Sequence, residues 1–393
     1  MRQFALLLAL SFSLTACSET SIIPEPDGMS VTEFSVSRVE STLDRSGNNH
    51  SSAWKTIRLN SRKDLWDLTF VDSLNGWVAD RRTIFRTTDG GVTWNDLPFL
   101  LQPNEDKEIL TFVDSRSGWL TVRETRKDRY DYDFSTTIFS TRDGGMTWTK
   151  QFSGTGIAIA DLEFIDDKLG WIVGAKVEMK DIVRASLFLS RTEDGGATWT
   201  DLSENLSKFS DLAKSNIRDL TNVLVTGPNS ATILGLDNQM IETTNGGETW
   251  TLIGEVGSPS KLLQFVPKGG GGFSMLAGGD NKHGIGSSYF TKVGENAWEE
   301  RRYDGLYLRQ GVSLNDHVFA CGSILSKDYE TKGDNRRFGV VVHSSDGGRN
   351  WTVIYENKRV PRVNAIALAG KERLIIVGEK GLVSSLDLKE VGL

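Results

Sequence analysis

The sequence is poor in cysteine, proline and histidine, and it has no excess of positive charge. Its 393 residues contain two cysteines, eight prolines and four histidines, with a net charge of −7. This mild negative charge gives no reason to expect nucleic acid as a partner. Neither a Gly-x-Ser-x-Gly nucleophile motif nor a phosphate-binding loop occurs. The histidines lack the spacing of metal ligands, so we expect no metal, no cofactor and no catalytic residue. They are His50, His283, His317 and His343.

The N-terminal segment resembles a lipoprotein signal. Arg2 supplies positive charge, and the apolar run after it is too short to span a membrane as a mature helix. Leu-Thr-Ala-Cys then ends at Cys17, so we expect residues 1–16 to be removed as a signal peptide and Cys17 to be lipidated. Ser18, rather than an aspartate, follows the cysteine and favours the outer membrane of a bacterial envelope, facing the periplasm or the surface. The alternative is an ordinary secretory signal with an incidental cysteine.

Two further expectations concern cysteine and the segment after the signal. If Cys17 carries lipid, Cys321 has no disulfide partner, and we expect it to be a small buried hydrophobe. Residues 17–52 are rich in Ser, Glu, Asn and Pro without sustained periodicity, which is typical of a flexible tether. Residues 53–393 are expected to form one domain, which would be anchored to the membrane through this tether.

A short motif recurs through that domain. Five segments of the form Thr/Ser-x-Asp/Asn-Gly-Gly-x-Thr/Asn-Trp align without gaps, and a worn sixth copy lacks the aspartate. The acid or amide can accept hydrogen bonds from backbone N–H groups two or three residues on and so close a tight turn. The glycines permit positive φ, and the tryptophan begins the next strand and packs between sheets. We interpret these Asp boxes as structural. Their key residues are Asp89, Trp94, Asp143, Trp148, Asp194, Trp199, Asn245, Trp250, Trp298, Asp346 and Trp351.

Three short strand patterns precede each box, and a fourth strand follows it, which makes a four-stranded blade. Six boxes define six blades. A seventh set of three strands lies at 363–368, 373–377 and 382–387, with no tryptophan strand after it. Residues 54–59 supply the missing strand from the other end of the chain. The sequence therefore predicts an all-β fold, a seven-bladed β-propeller whose last blade is closed by the N-terminal strand.

The combined signature, Phe-Val/Ile-Asp-x-x-x-Gly-Trp followed by an Asp box, resembles the photosystem II stability and assembly factor family of cyanobacteria and chloroplasts, whose repeats are BNR-like. The resemblance covers residues 54–388. It implies a non-enzymatic propeller that acts as an assembly or protein-interaction scaffold at a membrane. The matching residues are those that build blades, so they do not tie this chain to a photosystem.

We expect the partner on the side of the propeller opposite the Asp boxes. The long second-to-third strand connections at 123–136, 176–185 and 326–338 fall on that side, and long loops on a rigid scaffold are common binding sites. The alternative, solvated insertions without a partner, stays open. The first residues after each second strand are expected to ring the mouth of the central channel. The candidate residues are Asp80, Arg81, Arg82, Arg123, Arg129, Tyr130, Tyr132, Lys176, Asp237, Asp280, Tyr329, Arg336, Arg337 and Glu379.

The rival hypothesis is a cell-surface glycan-binding or glycoside hydrolase propeller, since Asp boxes also occur in sialidases and in xyloglucan-cleaving enzymes. The Phe/Tyr-Arg-Ile-Pro tetrapeptide of sialidases is absent, and the chain has length for one propeller. Asp80 and Glu379, from adjacent blades, are an example of a carboxylate pair that could serve in acid–base hydrolysis. We favour the scaffold, acting as a monomer with an unidentified envelope protein as its partner.

Overall fold

The computed structural model describes most of the chain from residue 35 onwards. The described residues are 35–39, 42–45, 52–57, 59, 61–127, 132–179, 183–208, 220–235, 239–255, 262–268, 272–281, 284–294, 297–326 and 336–393. Within them, thirty strands form seven sheets. Three short strands come first: β1 (Ser35–Arg38), β2 (Leu43–Asp44) and β3 (Lys55–Thr56).

Blades I to IV follow along the chain, each with four strands that are neighbours in sequence and in the sheet. Blade I is β4 (Asp67–Phe70), β5 (Gly76–Ala79), β6 (Ile84–Thr87) and β7 (Asn95–Asp96). Blade II is β8 (Glu105–Phe112), β9 (Gly118–Lys127), β10 (Tyr132–Thr141) and β11 (Thr149–Thr155). Blade III is β12 (Ile157–Phe164), β13 (Gly170–Met179), β14 (Val183–Thr192) and β15 (Thr200–Asp201). Blade IV, after the short helix α1 (Ser203–Ser207), is β16 (Leu220–Gly227), β17 (Ser230–Gly235), β18 (Gln239–Thr243) and β19 (Thr251–Glu255).

Blades V to VII complete the ring. Blade V is β20 (Leu262–Pro267), β21 (Phe273–Asn281), β22 (Gly284–Lys292) and β23 (Ala297–Asp304). Blade VI is β24 (Leu306–Leu314), β25 (His317–Leu325), β26 (Arg337–Ser344) and β27 (Trp351–Asn357). Blade VII is β28 (Val363–Ala369), β29 (Arg373–Gly378) and β30 (Val383–Asp387), with β3 as its fourth strand. The first strands of neighbouring blades contact one another all the way round, β28 with β4 included, so the predicted seven-bladed propeller is confirmed.

The seventh blade closes in the way that the sequence predicts. Lys55 and Thr56 of β3 pair antiparallel with β30. The indole of Trp54 donates to the carbonyl oxygen of Ile354 at 3.1 Å, and its ring lies 5.0 Å from that of Tyr355 in blade VI. The N-terminal strand therefore joins both ends of the chain in one sheet, which removes the open edge that an unclosed ring would leave.

The chain before that closing strand adds two more strands that were not predicted. β1 pairs parallel with β23 at the outer edge of blade V, and β2 pairs parallel with β27 of blade VI. Val36 packs on the core around Trp298, and Arg38 forms an ion pair with the buried Glu300 at 3.3 Å. The interpretation of residues 17–52 as a flexible tether is therefore wrong for these two stretches, because the outer edges of two blades offer them backbone partners that local composition does not reveal.

Each of the five intact Asp boxes folds as a hydrogen-bonded turn. In blade I the Asp89 carboxylate accepts from the backbone N–H of Val92 and Thr93 at 3.0 and 2.9 Å, and from the Thr93 hydroxyl at 2.5 Å. These donors lie three and four residues on, one further than expected. The Thr87 hydroxyl accepts from the N–H of Gly91 at 2.9 Å, and Gly91 takes a φ of 86° that favours glycine. The turn is thus satisfied by its own residues.

Tryptophan and phenylalanine fix neighbouring blades to each other. The fully buried Trp77 of β5 stacks on Phe112 of blade II with centroids 3.7 Å apart, and its indole donates to the Asp-box carbonyl oxygen of Gly144 at 3.0 Å. Trp119 makes the same pair of contacts one blade further on, with Phe164 and Gly195. The Gly-Trp motif and the Asp box are therefore two halves of one contact between blades.

Cys321 lies in β25 with no exposed surface, and burial raises the pKa of its thiol to about 12. The expectation of a small buried hydrophobe is confirmed.

Candidate partner-binding face

The strand polarity gives the propeller two different faces. The turns between first and second strands lie beside the Asp boxes, since the N–H of Gly90 donates to Leu74 O at 2.9 Å and that of Gly144 to Arg116 O at 2.8 Å. We call this side the Asp-box face. The hairpins between second and third strands and the links between blades lie at the other ends of the strands, which we call the hairpin face. Every described candidate partner residue belongs to the hairpin face.

The central channel is lined by the first strand of each blade, and this corrects one expectation. Because first strands of adjacent blades contact one another, they are the innermost strands, and residues that follow the second strands lie one strand further out. The mouth on the hairpin face is instead formed where the first strands begin. There Asp67 of β4 forms an ion pair with the buried Lys107 of β8. Burial raises the pKa of the neighbouring Glu108, and the positive charge of Arg123 partly opposes this rise.

Asp80 was expected at the surface, and the structure buries it. Its side chain is 2% exposed. One carboxylate oxygen accepts from the backbone N–H groups of Arg82 and Thr83, both at 2.7 Å, and so closes the turn after β5. This local role makes it a turn residue rather than part of a surface. It also leaves Asp80 without an open carboxylate to pair with Glu379, which faces Arg362 at 4.0 Å. Burial raises the pKa of Glu379, and Arg362 opposes the shift.

Arginines after β5 and in β9 do lie on the hairpin face. Arg82 donates to the carbonyl oxygens of Glu105 and Leu101, at 2.8 and 3.2 Å, and thereby fixes the link to blade II. Arg81 is 43% exposed and faces Asp106 at 3.8 Å. Arg123 forms an ion pair with Glu108 at 3.1 Å, and its guanidinium lies 5.1 Å from the ring of Phe134. Arg81 and Arg123 are therefore held at the surface by acids on the adjoining strand, β8.

Two of the predicted long loops are continuous hairpins. β9 pairs with β10 from Gly118 as far as Lys127, and β13 pairs with β14 as far as Met179. The exposed Lys176 projects from β13. Tyr132 and Asp280 lie in β10 and β21. Four further candidates lie outside the described residues: Arg129, Tyr130, Asp237 and Tyr329.

Aromatic rings accompany further arginines on the same face. Arg336 is exposed and lies 5.9 Å from the ring of Phe338, and Arg337 begins β26. Two pairs were missed by sequence reasoning, and both lie near the channel mouth. They are Arg309 with Trp66 at 5.4 Å and Arg362 with Tyr307 at 5.7 Å. Their signal in the sequence was weak, because Arg309 interrupts an ordinary first-strand pattern.

Another missed feature is a pair of carboxylates between blades III and IV. Asp161 and Glu163 project from the same side of β12, and they accept from the backbone N–H groups of Val223 and Val225 in β16 at 3.1 and 3.0 Å. Burial raises the pKa of Asp161 to about 6 and that of Glu163 to about 8. Both carboxylates are hydrogen-bonded to the backbone of the next blade, and they therefore form a clasp that holds blades III and IV together.

Two absences hold for the part of the chain that the structure describes. No group of three or more His, Cys, Asp or Glu side chains is placed to hold a metal ion there. Nor does any helix in that part have the length and apolar character needed to cross a membrane.

The comparisons with known proteins agree with the repeat and with the fold. The sequence profile of a family described as photosynthesis system II assembly factor YCF48 matches residues 46–125. Photosystem II assembly lipoprotein Ycf48 of Synechococcus sp. (strain CC9902) is 26% identical over 168 residues, which is 42% of this chain and 45% of that protein. The match thus spans less than half of the relative's length.

Solved structures extend the likeness over the whole ring. A structure of YCF48 bound to D1 peptide superposes with a TM-score of 0.58 at 17% identity, over 88% of this chain and 99% of that one. A family 74 glycoside hydrolase, a xyloglucanase from Xanthomonas campestris, reaches 0.55 at 14% identity, over 86% of this chain and 54% of the enzyme. At such identities these superpositions show the fold alone. Taken with the profile and the curated relative, they confirm the predicted resemblance: the chain is an Asp-box propeller similar to the photosystem II assembly factor family.

Proposed function

We propose that this protein is a lipid-anchored, non-enzymatic scaffold that binds a segment of an envelope protein on its hairpin face. The observation that carries the proposal is a set of arginines on that face, each beside an aromatic ring. They are Arg123 with Phe134, Arg309 with Trp66, Arg336 with Phe338, and Arg362 with Tyr307.

This composition suits a protein partner. Arginine and aromatic side chains are enriched where proteins bind proteins, because they combine apolar area with directed hydrogen-bond donors. Arg309 and Arg362 are both partly exposed. Their guanidinium N–H groups can therefore donate to a carboxylate or backbone carbonyl of a bound peptide. That a similar propeller is described as bound to a peptide supports this use of the fold.

The membrane part of the proposal rests on the sequence. Cys17 follows a Leu-Thr-Ala tripeptide, and the curated relative is described as a lipoprotein. We propose that Cys17 carries the lipid, that residues 1–16 are removed, and that the protein is a monomer. Ser18 after the lipidated cysteine supports the outer membrane as its destination.

The test is capture of the partner by photo-crosslinking in native envelopes. A photoreactive amino acid replaces Arg336 on the hairpin face or, as a matched control, Arg349 on the Asp-box face, since both are exposed arginines. We expect one reproducible protein adduct from position 336 that is absent from position 349. Arg309→Ala and Arg362→Ala should reduce its yield, because both remove contacts near the channel mouth.

Two results would contradict the proposal. The first is a protein adduct from position 349 alone, or none from position 336. The second is hydrolysis of a panel of envelope glycans by the purified protein, which would replace the scaffold with a glycoside hydrolase. Loss of that hydrolysis in Glu379→Gln would identify the site of the chemistry.

A further inference from the structure

Large apolar side chains are unevenly distributed over the surface. Among the described residues, six large hydrophobic side chains are well exposed. Five of them lie at turns of the Asp-box face, and the sixth, Leu100, lies on the link between blades I and II. The five are Leu74 (53% exposed), Val92 (63%), Met146 (52%), Ile165 (40%) and Val293 (53%).

These side chains are not needed by the turns that carry them. In blade I the box is closed by the Asp89 carboxylate and the Thr87 hydroxyl, which bond to backbone N–H groups. Val92 contributes its N–H to that network, and its side chain projects outward. Met146 occupies the same position of the box in blade II. A polar residue serves the turn equally well, since Glu248 and Arg349 occupy the same box position in blades IV and VI. The grouping of five apolar side chains on one face, rather than any one of them, is therefore what indicates contact with another surface.

The course of the chain indicates what lies against this face. Ser35 pairs with Ala297, the first residue of β23, which leaves the Asp-box-face hairpin of blade V. The chain therefore enters the propeller at the Asp-box face. Residues 18–34 separate this entry from Cys17. If this segment is the tether that its composition predicts, it would span about 25 Å on average, and a lipid at Cys17 would then lie within that distance of the face where the chain enters.

We propose that the Asp-box face rests on the phospholipid bilayer that carries the anchor, with the five apolar turn residues in contact with the lipid interface. The inference rests on the proposed lipidation of Cys17 and deepens it by assigning an orientation. The hairpin face is then directed away from that bilayer, where a partner can reach it. Apolar side chains on a rigid scaffold bind an interface through the apolar area that they bury there.

Charge on the Asp-box face is mixed. Exposed cations such as Arg116, Lys168 and Arg349 alternate with exposed acids such as Glu193 and Glu248. Without a cationic patch, attraction to anionic lipid headgroups adds little. We therefore expect the Asp-box face to bind vesicles of pure phosphatidylcholine, without anionic lipid. We also expect this binding to depend little on salt concentration.

The experiment places an environment-sensitive fluorophore on single introduced cysteines of the full-length lipidated protein. The variants are Val92→Cys and Met146→Cys, with Leu100→Cys as the matched control on the opposite face. Cys321 is buried and Cys17 carries the lipid, so neither competes for the label. Each labelled protein is reconstituted into phosphatidylcholine vesicles that contain brominated lipid as a quencher. We expect loss of fluorescence at positions 92 and 146 and none at position 100.

Flotation of the same vesicles tests the lipid anchor separately from the orientation of the propeller. A protein that floats with the vesicles but shows quenching at position 100, or at none of the three, overturns the orientation and leaves the anchor standing. Failure to float overturns the anchor and the orientation together. All three substitutions are at exposed positions, so native tryptophan emission of each variant should match the unlabelled parent before reconstitution.

Discussion

Replacing Glu163 by glutamine should make the propeller more stable in alkaline solution and leave it unchanged in mild acid. Burial, together with the nearby Asp161 carboxylate, raises the pKa of Glu163 to about 8, although the hydrogen bond from the Val225 N–H lowers it. The folded pKa is therefore above the unfolded value of 4.5. Folded protein then binds more protons than unfolded protein between these two values, so the stability that this group contributes is complete below pH 4.5 and is lost as pH rises through 8.

The size of the effect follows from the shift. Each pKa unit is equivalent to about 1.4 kcal/mol, so the shift sets an upper limit of about 5 kcal/mol. Water that enters between blades screens part of this, and we expect a gain of about 2 kcal/mol for Glu163→Gln at pH 8.5. The amide oxygen of glutamine can still accept from Val225, so the clasp between blades III and IV is retained.

Urea unfolding at pH 4 and pH 8.5, followed by tryptophan emission, measures the difference. Glu193→Gln is the matched control, because Glu193 is an exposed carboxylate in the same blade. Glu163→Gln should raise the midpoint at pH 8.5 only, and the control should change neither. A variant that is equally stabilised at both pH values, or destabilised at pH 8.5, would show that charge on the buried Glu163 does not lower the stability of the propeller.

Three further predictions test the fold. Asp89→Ala should lower the free energy of unfolding by about 1–3 kcal/mol, whereas Asp89→Asn should keep most of it, since Asn245 makes the same turn in blade IV; urea unfolding checks both. Arg38→Ala should cost about 1–3 kcal/mol, because it removes the ion-pair partner of Glu300, a side chain only 3% exposed; little change in the unfolding midpoint would contradict the role of β1. Cys321 should resist a thiol reagent in the native protein and react once urea unfolds it, and rapid native labelling would be the opposite result.

The propeller could be predicted in detail because its signals are local. Each Asp box, from Asp89 to Asp346, closes its turn with residues inside an eight-residue motif, so the sequence contains the whole structure of the turn. The repeat spacing then fixes the number of blades. Closure by β3 was also predictable. The last blade has three strands in sequence, and an unassigned strand lies near the start of the chain, so pairing the two completes a four-stranded sheet.

Features that depend on contacts between distant strands could not be predicted. The pairing of β1 with blade V depends on the free edge of β23, roughly 260 residues away in sequence. The Ser-Val-Ser-Arg sequence of β1 has no local pattern that predicts this partner. The ring of residues at the channel mouth was assigned one strand too far out, because repeat counting does not show which strand is innermost. For the same reason the sequence did not single out Arg309, Asp161 and Glu163 from other polar residues in strands.

The claim that the hairpin face binds the partner is tested most directly by amide hydrogen exchange on the complex with the captured protein. If the partner binds there, exchange should slow at the end of β9, at the start of β10 and at the start of β24. Exchange in the Asp-box turns at 87–94 and 141–148 should stay unchanged. Protection confined to the Asp-box turns, with the hairpins unaffected, would contradict it.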